Sequence, residues 1–203
     1  MSKDSIKIAN CSGFYGDKLS VAKEMVIGGP IDVLTGDYLA ELTMTILYGQ
    51  KMKRGEDHGY VGTFLKQFKD VAALAQEKDI KIVTNAGGLN PASMASAIED
   101  IVKELKLNLK VAYIDGDDLM PRIDSFFQDG EKLINIDKKI PLDSYNKSPI
   151  TANAYLGAWG IKEALDNGAD VVICPRVTDA AVVIGPAAWK YNWSRDQYDE
   201  LAG

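Results

Sequence analysis

The sequence is poor in the residues that build several common kinds of site. Its 203 residues include two cysteines and one histidine, too few for a disulfide framework or a structural zinc site. No apolar run approaches the ~20 residues of a membrane-spanning helix, and residues 1–4 lead directly into a β-type run without space for a signal peptide. We therefore expect a soluble protein of the reducing cytoplasm.

Positive charge is also scarce. The chain has 23 Lys and Arg against 29 Asp and Glu, a net charge of −6, and it has no basic block that would neutralise a phosphate backbone. This balance disfavours nucleic acid as a partner. It leaves an anionic small molecule open, because a local arginine or a helix amino terminus can bind an anion despite the overall charge.

Short β-type runs alternate with stretches of helical periodicity, which is typical of a parallel sheet with crossover helices. We predict a doubly wound, mostly parallel Rossmann-like α/β sheet with helices on both faces. No Pro-, Gly- or Ser-rich linker divides the chain, so we expect residues 1–203 to form one domain. Residues 129–149 break the alternation and are typical of short strands or a flap, which we interpret as an insertion. The predicted strands span residues 6–9, 31–34, 81–84, 110–114 and 170–174.

The predicted strands end at small or polar residues. In a parallel α/β sheet these ends lie along one edge, where ligands bind, so we expect them to share one site. The acidic and amide candidates for catalysis are Asp37, Asp117, Asp118, Asp179 and Asn85. Converging carboxylates can bind Mg²⁺ or act as acid and base, but helix capping explains each aspartate singly about as well.

Two glycine-containing loops follow the first and third strands, and their backbone amides are candidates for binding a phosphate or carboxylate. The residues concerned are Ser12, Gly13, Gly16, Gly87, Gly88 and Asn90. Tight turns and helix capping by Asp17 and Asn90 are the alternative explanation. The first loop lacks the first glycine of the dinucleotide fingerprint, which weakens a nicotinamide-dependent oxidoreductase although Asp37 lies where a ribose-binding acid would.

Arg176 is the one arginine of four that directly follows a strand end. Its guanidinium suits a carboxylate, a phosphate or the pyrophosphate of CoA, and an internal salt bridge to Asp117, Asp118 or Asp179 is the alternative. His58 is the sole histidine and lies in a charged stretch flanked by glycines. We expect it to occupy a surface loop rather than to act in a Ser-His-Asp or Cys-His mechanism.

Six segments together resemble the amino-terminal domain of the acyclic terpene utilisation family, the AtuA-like proteins. They are NCSGFYGD (10–17), IDVLTGDYLAE (31–41), TNAGGLNP (84–91), GDD (116–118), ANAYLGA (152–158) and RVTDAA (176–181). The resemblance covers nearly the whole chain, and several long matches in order are more specific than one glycine motif. Members of this family usually continue past the point where this chain ends, so the chain is similar to a truncated or split member.

The resemblance implies a catabolic enzyme that acts on a branched carboxylated or CoA-linked substrate by lyase or hydratase chemistry. A role proposed for the family is cleavage of a branched 3-hydroxyglutaryl-CoA-type intermediate, which needs a base for the hydroxyl proton and a metal or cation for the enolate. We expect Asp37, Asp117 or Asp179 as base or metal ligand and Arg176 as anion clamp. The alternative is a noncatalytic acyl-CoA-binding or assembly subunit. We also expect a homo-oligomer, or a partner chain that supplies the missing family region.

Overall fold

The computed structural model describes residues 5–202, and a five-stranded parallel sheet forms its centre. The strands are β1 (Ile8–Asn10), β2 (Val33–Gly36), β3 (Lys81–Thr84), β4 (Val111–Tyr113) and β5 (Val171–Ile173). Their order in the sheet is β1-β2-β3-β5-β4, and every neighbouring pair is parallel. The predicted α/β sheet is confirmed, whereas the expectation about residues 1–4 lies outside the described residues.

Helices lie between the strands and after the last one. They are α1 (Val21–Gly28), α2 (Glu41–Arg54), α3 (Gly62–Glu77), α4 (Pro91–Glu104), α5 (Ile123–Gln128), α6 (Trp159–Asp166), α7 (Ala181–Tyr191) and α8 (Tyr198–Ala202). The helix α4 shows how the local sequence sets a boundary. Asn90 is its N-cap and accepts a hydrogen bond from the amide of Ser93 at 3.1 Å, while Pro91 occupies the first helical position, where no amide donor is needed.

Successive side chains of the central strands build a hydrophobic core on each face of the sheet. In β3, Ile82 packs in the core that contains α1, α3 and α4, whereas Val83 packs in the core that contains α6 and α7. Leu34 and Val33 of β2 divide in the same way, and all four residues are at most 1% exposed. Because neighbouring residues of a strand point to opposite faces, such apolar strands need helices on both sides. The doubly wound arrangement is therefore confirmed.

The winding reverses between β3 and β5, which are neighbours in the sheet. The helix after β3 is α4 on one face, and the helix after β5 is α7 on the other. Such a reversal opens a crevice beyond the carboxyl ends of the two strands. Backbone closes its floor, because the amide of Gly87 donates to the carbonyl of Cys174 at 3.1 Å and a Cβ on Gly87 would stand 2.6 Å from that oxygen. Any ligand must bind above this contact, among the loops.

Residues 129–149 follow α5 and form mostly exposed, irregular backbone. They contain the short 3-10 helix Leu142–Ser144 and an isolated bridge between Ile134 and Pro141, and Ile136 is 82% exposed. Of the short strands or flap predicted for this segment, the structure has one bridge within otherwise irregular backbone. That this segment is an insertion within a single domain stays a prediction. Across the described residues, every helix is too short or too polar to cross a bilayer.

Candidate functional site

The loop after β1 satisfies its own amides. The carboxylate of Asp17 accepts hydrogen bonds from the amides of Gly13 at 2.7 Å and Phe14 at 3.3 Å, and from the hydroxyl of Ser12 at 3.2 Å. The Asp17 carboxylate therefore occupies the anion-binding position that we predicted for the amides of this loop. It does not cap α1, which was the alternative explanation for this residue, because that helix begins only at Val21. Binding at Ser12, Gly13 or Gly16 would require displacement of this carboxylate.

The loop after β3 is also closed by backbone contacts. The amide of Gly88 donates to the carbonyl of Asn85, and the amide of Asn90 donates to that of Gly87. Gly88 has a positive φ of 55°, and a Cβ there would stand 2.4 Å from a methyl group of Leu47. These glycines serve a tight turn packed against α2, and their amides do not point freely into the crevice. Ligand contact at Gly87, Gly88 and Asn90 stays a prediction without support from this geometry.

Asp37 and Asn85 form a pair at the ends of β2 and β3. Asn85 is fully buried, and its amide group donates to the carboxylate of Asp37 at 2.5 Å while its oxygen accepts from the backbone of Tyr38 at 2.7 Å. The amide of Leu39 lies 3.4 Å from the same Asp37 oxygen. Asn85 thereby fixes the direction in which the chain leaves β2 towards α2. This role is structural and leaves the predicted catalytic role untested.

Asp117 lies behind the residues that face the crevice. It is 5% exposed, and its Oδ2 accepts from the side-chain amide of Asn153 at 2.8 Å and from the backbone amide of Arg176 at 3.2 Å. Burial raises the pKa of this carboxyl, against the lowering effect of these two hydrogen bonds. Asp117 thus ties the end of β5 to residues 152–154. Asp117 therefore positions the side chain of Asn153 and the backbone of Arg176.

The carboxylates of the other two predicted aspartates do not share hydrogen-bond partners with Asp117 in the described part of the chain. Asp118 is exposed, and one of its oxygens accepts from the amide of Met120 at 2.9 Å, which is a local turn. Asp179 is exposed before α7, and within residues 5–202 no hydrogen bond or ion pair reaches its carboxylate. No group of three or more His, Cys, Asp or Glu in the described part of the chain is placed to hold a metal ion. The expected Mg²⁺ has no fitting set of donors here, because N–H groups occupy oxygens of Asp37, Asp117 and Asp118.

Arg176 is the residue through which the loops meet. Arg176 is buried, with 5% of the residue exposed. Its Nη1 donates to the carbonyl of Leu39 at 2.6 Å, and its Nη2 donates to the hydroxyl of Tyr155 at 2.7 Å. The guanidinium also stacks on the ring of Tyr155, 4.1 Å from its centroid. One side chain thus joins the chain after β2, the segment before α6 and the end of β5. The predicted placement of Arg176 at the shared edge agrees with this geometry.

The ion-pair partner of Arg176 differs from the three aspartates we considered. It is Glu41, whose Oε1 lies 3.5 Å from Nη2 and whose side chain is 82% exposed. The hydroxyl of Tyr155 donates to the same oxygen of Glu41. This hydrogen bond is the main reason why the pKa of Glu41 is lowered, and the charge of Arg176 contributes in the same direction. Glu41 is therefore a carboxylate at neutral pH.

These residues line a cavity of about 220 Å³ between α2 and residues 151–155. Its walls include Glu41 and Thr45 from α2, and Asn153, Tyr155 and Arg176 from the opposite side. Our sequence predictions missed Glu41, Asn153 and Tyr155 as site residues, although all three fall inside the segments that resemble a known family. No periodic or spacing signal marks them, because Glu41 starts α2 and the other two lie in irregular backbone before α6.

The remaining reactive side chains do not extend this site. Cys11 and Cys174 are at most 2% exposed, and burial raises the pKa of both thiols, which makes them poor nucleophiles. His58 is half-buried rather than at the surface, and its ring stacks on Tyr60 with centroids 6.5 Å apart. The structure therefore offers no support for Cys-His catalysis. Arg176, Tyr155 and Glu41 form the candidate site.

Comparison with known proteins gives one match. The model of a family described as acyclic terpene utilisation family protein AtuA matches residues 6–203. No curated protein and no solved structure matches the chain. The match covers the sheet, the loops at its carboxyl edge and the candidate site together.

Proposed function

The chain belongs to the acyclic terpene utilisation family, and we propose that it is a catabolic lyase for branched 3-hydroxyacyl substrates, carboxylated or CoA-linked. The observation that carries this proposal is a buried arginine whose anionic partner is exposed to solvent. Arg176 is 5% exposed and Glu41, which balances its charge, is 82% exposed. Because the Glu41 carboxylate faces solvent, it stays hydrated when a substrate oxygen takes its place beside Arg176, and the guanidinium keeps a negatively polarised partner.

Arg176 and Tyr155 suit the oxygen that gains negative charge in such a reaction. Nη2 of Arg176 and the hydroxyl of Tyr155 both line the same cavity and lie 2.7 Å apart. The contact of Nη1 with the Leu39 carbonyl and the stacking on Tyr155 hold the guanidinium in place before a substrate arrives. Donors that are fixed in advance stabilise a developing enolate oxygen more effectively than mobile ones.

Glu41 is our candidate for the base. Its pKa is lowered, so it is ionised at neutral pH, and it lies beside the proposed oxyanion donors. Glu41 takes the proton of the substrate's hydroxyl group. The bond between the carbon that carries this hydroxyl and the neighbouring carbon of the acyl group then breaks. The electron pair of this bond passes to the acyl group as an enolate, and the proton then returns to the enolate carbon. A ketone and a shorter acyl product leave, without any oxidant, reductant or water.

Asp117 and Asn85 are positioning residues in this proposal. Asp117 holds Asn153 and the backbone of Arg176, and Asn85 holds Asp37 and the chain that leads to Leu39. Both residues therefore contribute by holding Arg176 in position. The role that we expected of Asp37, Asp117 or Asp179 as base thus passes to Glu41 in the proposal.

Turnover of a synthetic branched 3-hydroxyacyl thioester, followed by mass spectrometry of the ketone and the shorter thioester, tests the proposal. We expect Glu41→Gln to lower kcat by about 10²–10⁴-fold. Glu24→Gln is the matched control, because Glu24 lies in the first turn of α1 and is also exposed and paired, here with Lys18 at 2.6 Å. Equal rates for both variants would remove Glu41 from the mechanism. Binding of the thioester without turnover by the wild type would favour the noncatalytic acyl-CoA-binding subunit.

A further inference from the structure

A second cavity continues the polar one along α2. Its volume is about 240 Å³, and it shares Thr151 with the cavity that contains Arg176. Its lining includes Met52 and Tyr48 from α2, Leu89 after β3, and Met120 and Ile150 from the opposite wall, together with Thr151 and the charged residues Lys51, Glu56 and Asp118. We call these lining residues the apolar groove. The exposure of Met52, 66%, and of Ile150, 45%, leaves two large side chains at the surface without packing partners that would bury them.

One face of α2 forms a wall of both cavities. Glu41 and Thr45 line the polar cavity, and Tyr48 and Met52 line the apolar groove. Their spacing of four, three and four residues places all of them on one face of the helix. At 1.5 Å per residue, Thr45 and Met52 lie about 10 Å apart along the axis. The two cavities thus lie next to each other along α2.

We propose that the apolar groove binds the hydrocarbon tail of an acyl ligand whose head lies on Arg176. This inference rests on the proposed function, since it extends the same site. The ligand class is an amphipathic acid or thioester: a negatively polarised oxygen at one end meets a buried guanidinium, and an apolar chain follows the wall of α2. The ion pair of Lys51 and Glu56, with Nζ and Oε2 2.9 Å apart, lines the groove and gives it a polar end.

Affinity for monocarboxylates of increasing chain length, from acetate to decanoate and including methyl-branched chains, tests the inference. Each is titrated below its micelle concentration and followed by chemical-shift changes of the protein. We expect affinity to rise by up to about fourfold for each methylene group that leaves water, and to level off once the chain passes Lys51. Acetate contacts only the head site, so it reports on the proposed function alone.

Tryptophan at Ile150 or Met52 fills the groove from opposite walls. Either variant should bind decanoate at least about tenfold more weakly than the wild type, because several methylene groups stay in water, and should bind acetate as before. Leu42→Trp is the matched control, since Leu42 is 71% exposed on α2 and is not part of the groove lining.

The outcomes separate the two proposals. Intact acetate binding with no dependence on chain length would overturn the tail groove and leave the head site standing. Equal weakening by Leu42→Trp and Ile150→Trp would also overturn it, because it would indicate unspecific adsorption of long acids. Failure of every acid to bind would overturn both the head site and the groove.

Discussion

Replacement of Arg176 by lysine tests whether the planar guanidinium, rather than a positive charge alone, holds the loops together. The side chain is buried and makes two directed hydrogen bonds, to the carbonyl of Leu39 and the hydroxyl of Tyr155. A lysine ammonium on its flexible stem is a compact charge that cannot reproduce this planar fork. We expect Arg176→Lys to keep only one of the two contacts.

The expected loss of stability follows from these contacts. A hydrogen bond from a charged donor contributes about 1.5–3 kcal/mol, and the stacking of Arg176 on Tyr155, 4.1 Å from its centroid, contributes about 0.5–2 kcal/mol. Lysine retains part of the interaction with the Tyr155 ring, so we expect Arg176→Lys to lower the free energy of unfolding by about 2–4 kcal/mol. This is a large part of the ~5–15 kcal/mol that holds a typical domain.

Urea unfolding followed by circular dichroism measures this change, with the m-value as a check that the unfolded surface is unaltered. Arg195→Lys is the control, because Arg195 lies 5.3 Å above the ring of Trp159 but is exposed. An exposed cation–π contact contributes about 0.5–1 kcal/mol, and lysine keeps part of it. Coinciding unfolding midpoints for the two variants would refute the role given to Arg176, and so would unchanged acetate affinity in Arg176→Lys.

Three further predictions concern the pKa values and the packing. Tyr155→Phe should raise the pKa of Glu41 towards its ordinary value of 4.5, because the lost hydroxyl is the main cause of its lowering; carboxyl NMR titration of the two proteins shows whether it does. Asp117→Asn removes a carboxyl whose folded pKa is raised above its ordinary 3.8 by burial, so wild-type stability should fall relative to the variant as pH rises above about 3.8 and through the folded pKa; parallel pH profiles of unfolding free energy would contradict this. Gly87→Ala should cost about 1–3 kcal/mol by overpacking, since its Cβ would have three neighbours within 3 Å, whereas Gly49→Ala inside α2, with open space around it, should gain about 0.5–1 kcal/mol; calorimetric melting of both decides the signs.

The sheet was predictable because its signals are local. Runs such as residues 81–84 are short and rich in β-branched residues, and amphipathic stretches follow them, so period and length alone indicate strands and crossover helices. The turn at Gly87 and Gly88 and the cap at Asn90 were equally readable, because backbone angles and helix ends select particular residues. Residues 129–149 were identified as a break in the pattern, and of the short strands or flap predicted there the structure has one bridge, between Ile134 and Pro141.

The candidate site was predictable only in part. Arg176 was identified because it directly follows an apolar strand, and burial at the carboxyl edge agrees with that placement. The internal salt bridge that we considered as an alternative has a different partner, since the ion pair of Arg176 is with Glu41 rather than Asp117, Asp118 or Asp179. A lone tyrosine or glutamate outside a strand end carries no signal in the sequence.

The sequence by itself determined the family, the parallel α/β sheet and the edge of that sheet at which the loops gather, because each of these depends on residues that are near one another in the chain. Only the tertiary structure decided which side chains meet there. Glu41 and Tyr155 are separated by 114 residues and come together on Arg176 because the segments that follow β2, β4 and β5 reach the same edge of the sheet. The tertiary structure also decided the roles of two carboxylates that the sequence did not assign. Asp17 accepts hydrogen bonds from amides of its own loop, and Asp117 accepts from Asn153 and from the amide of Arg176.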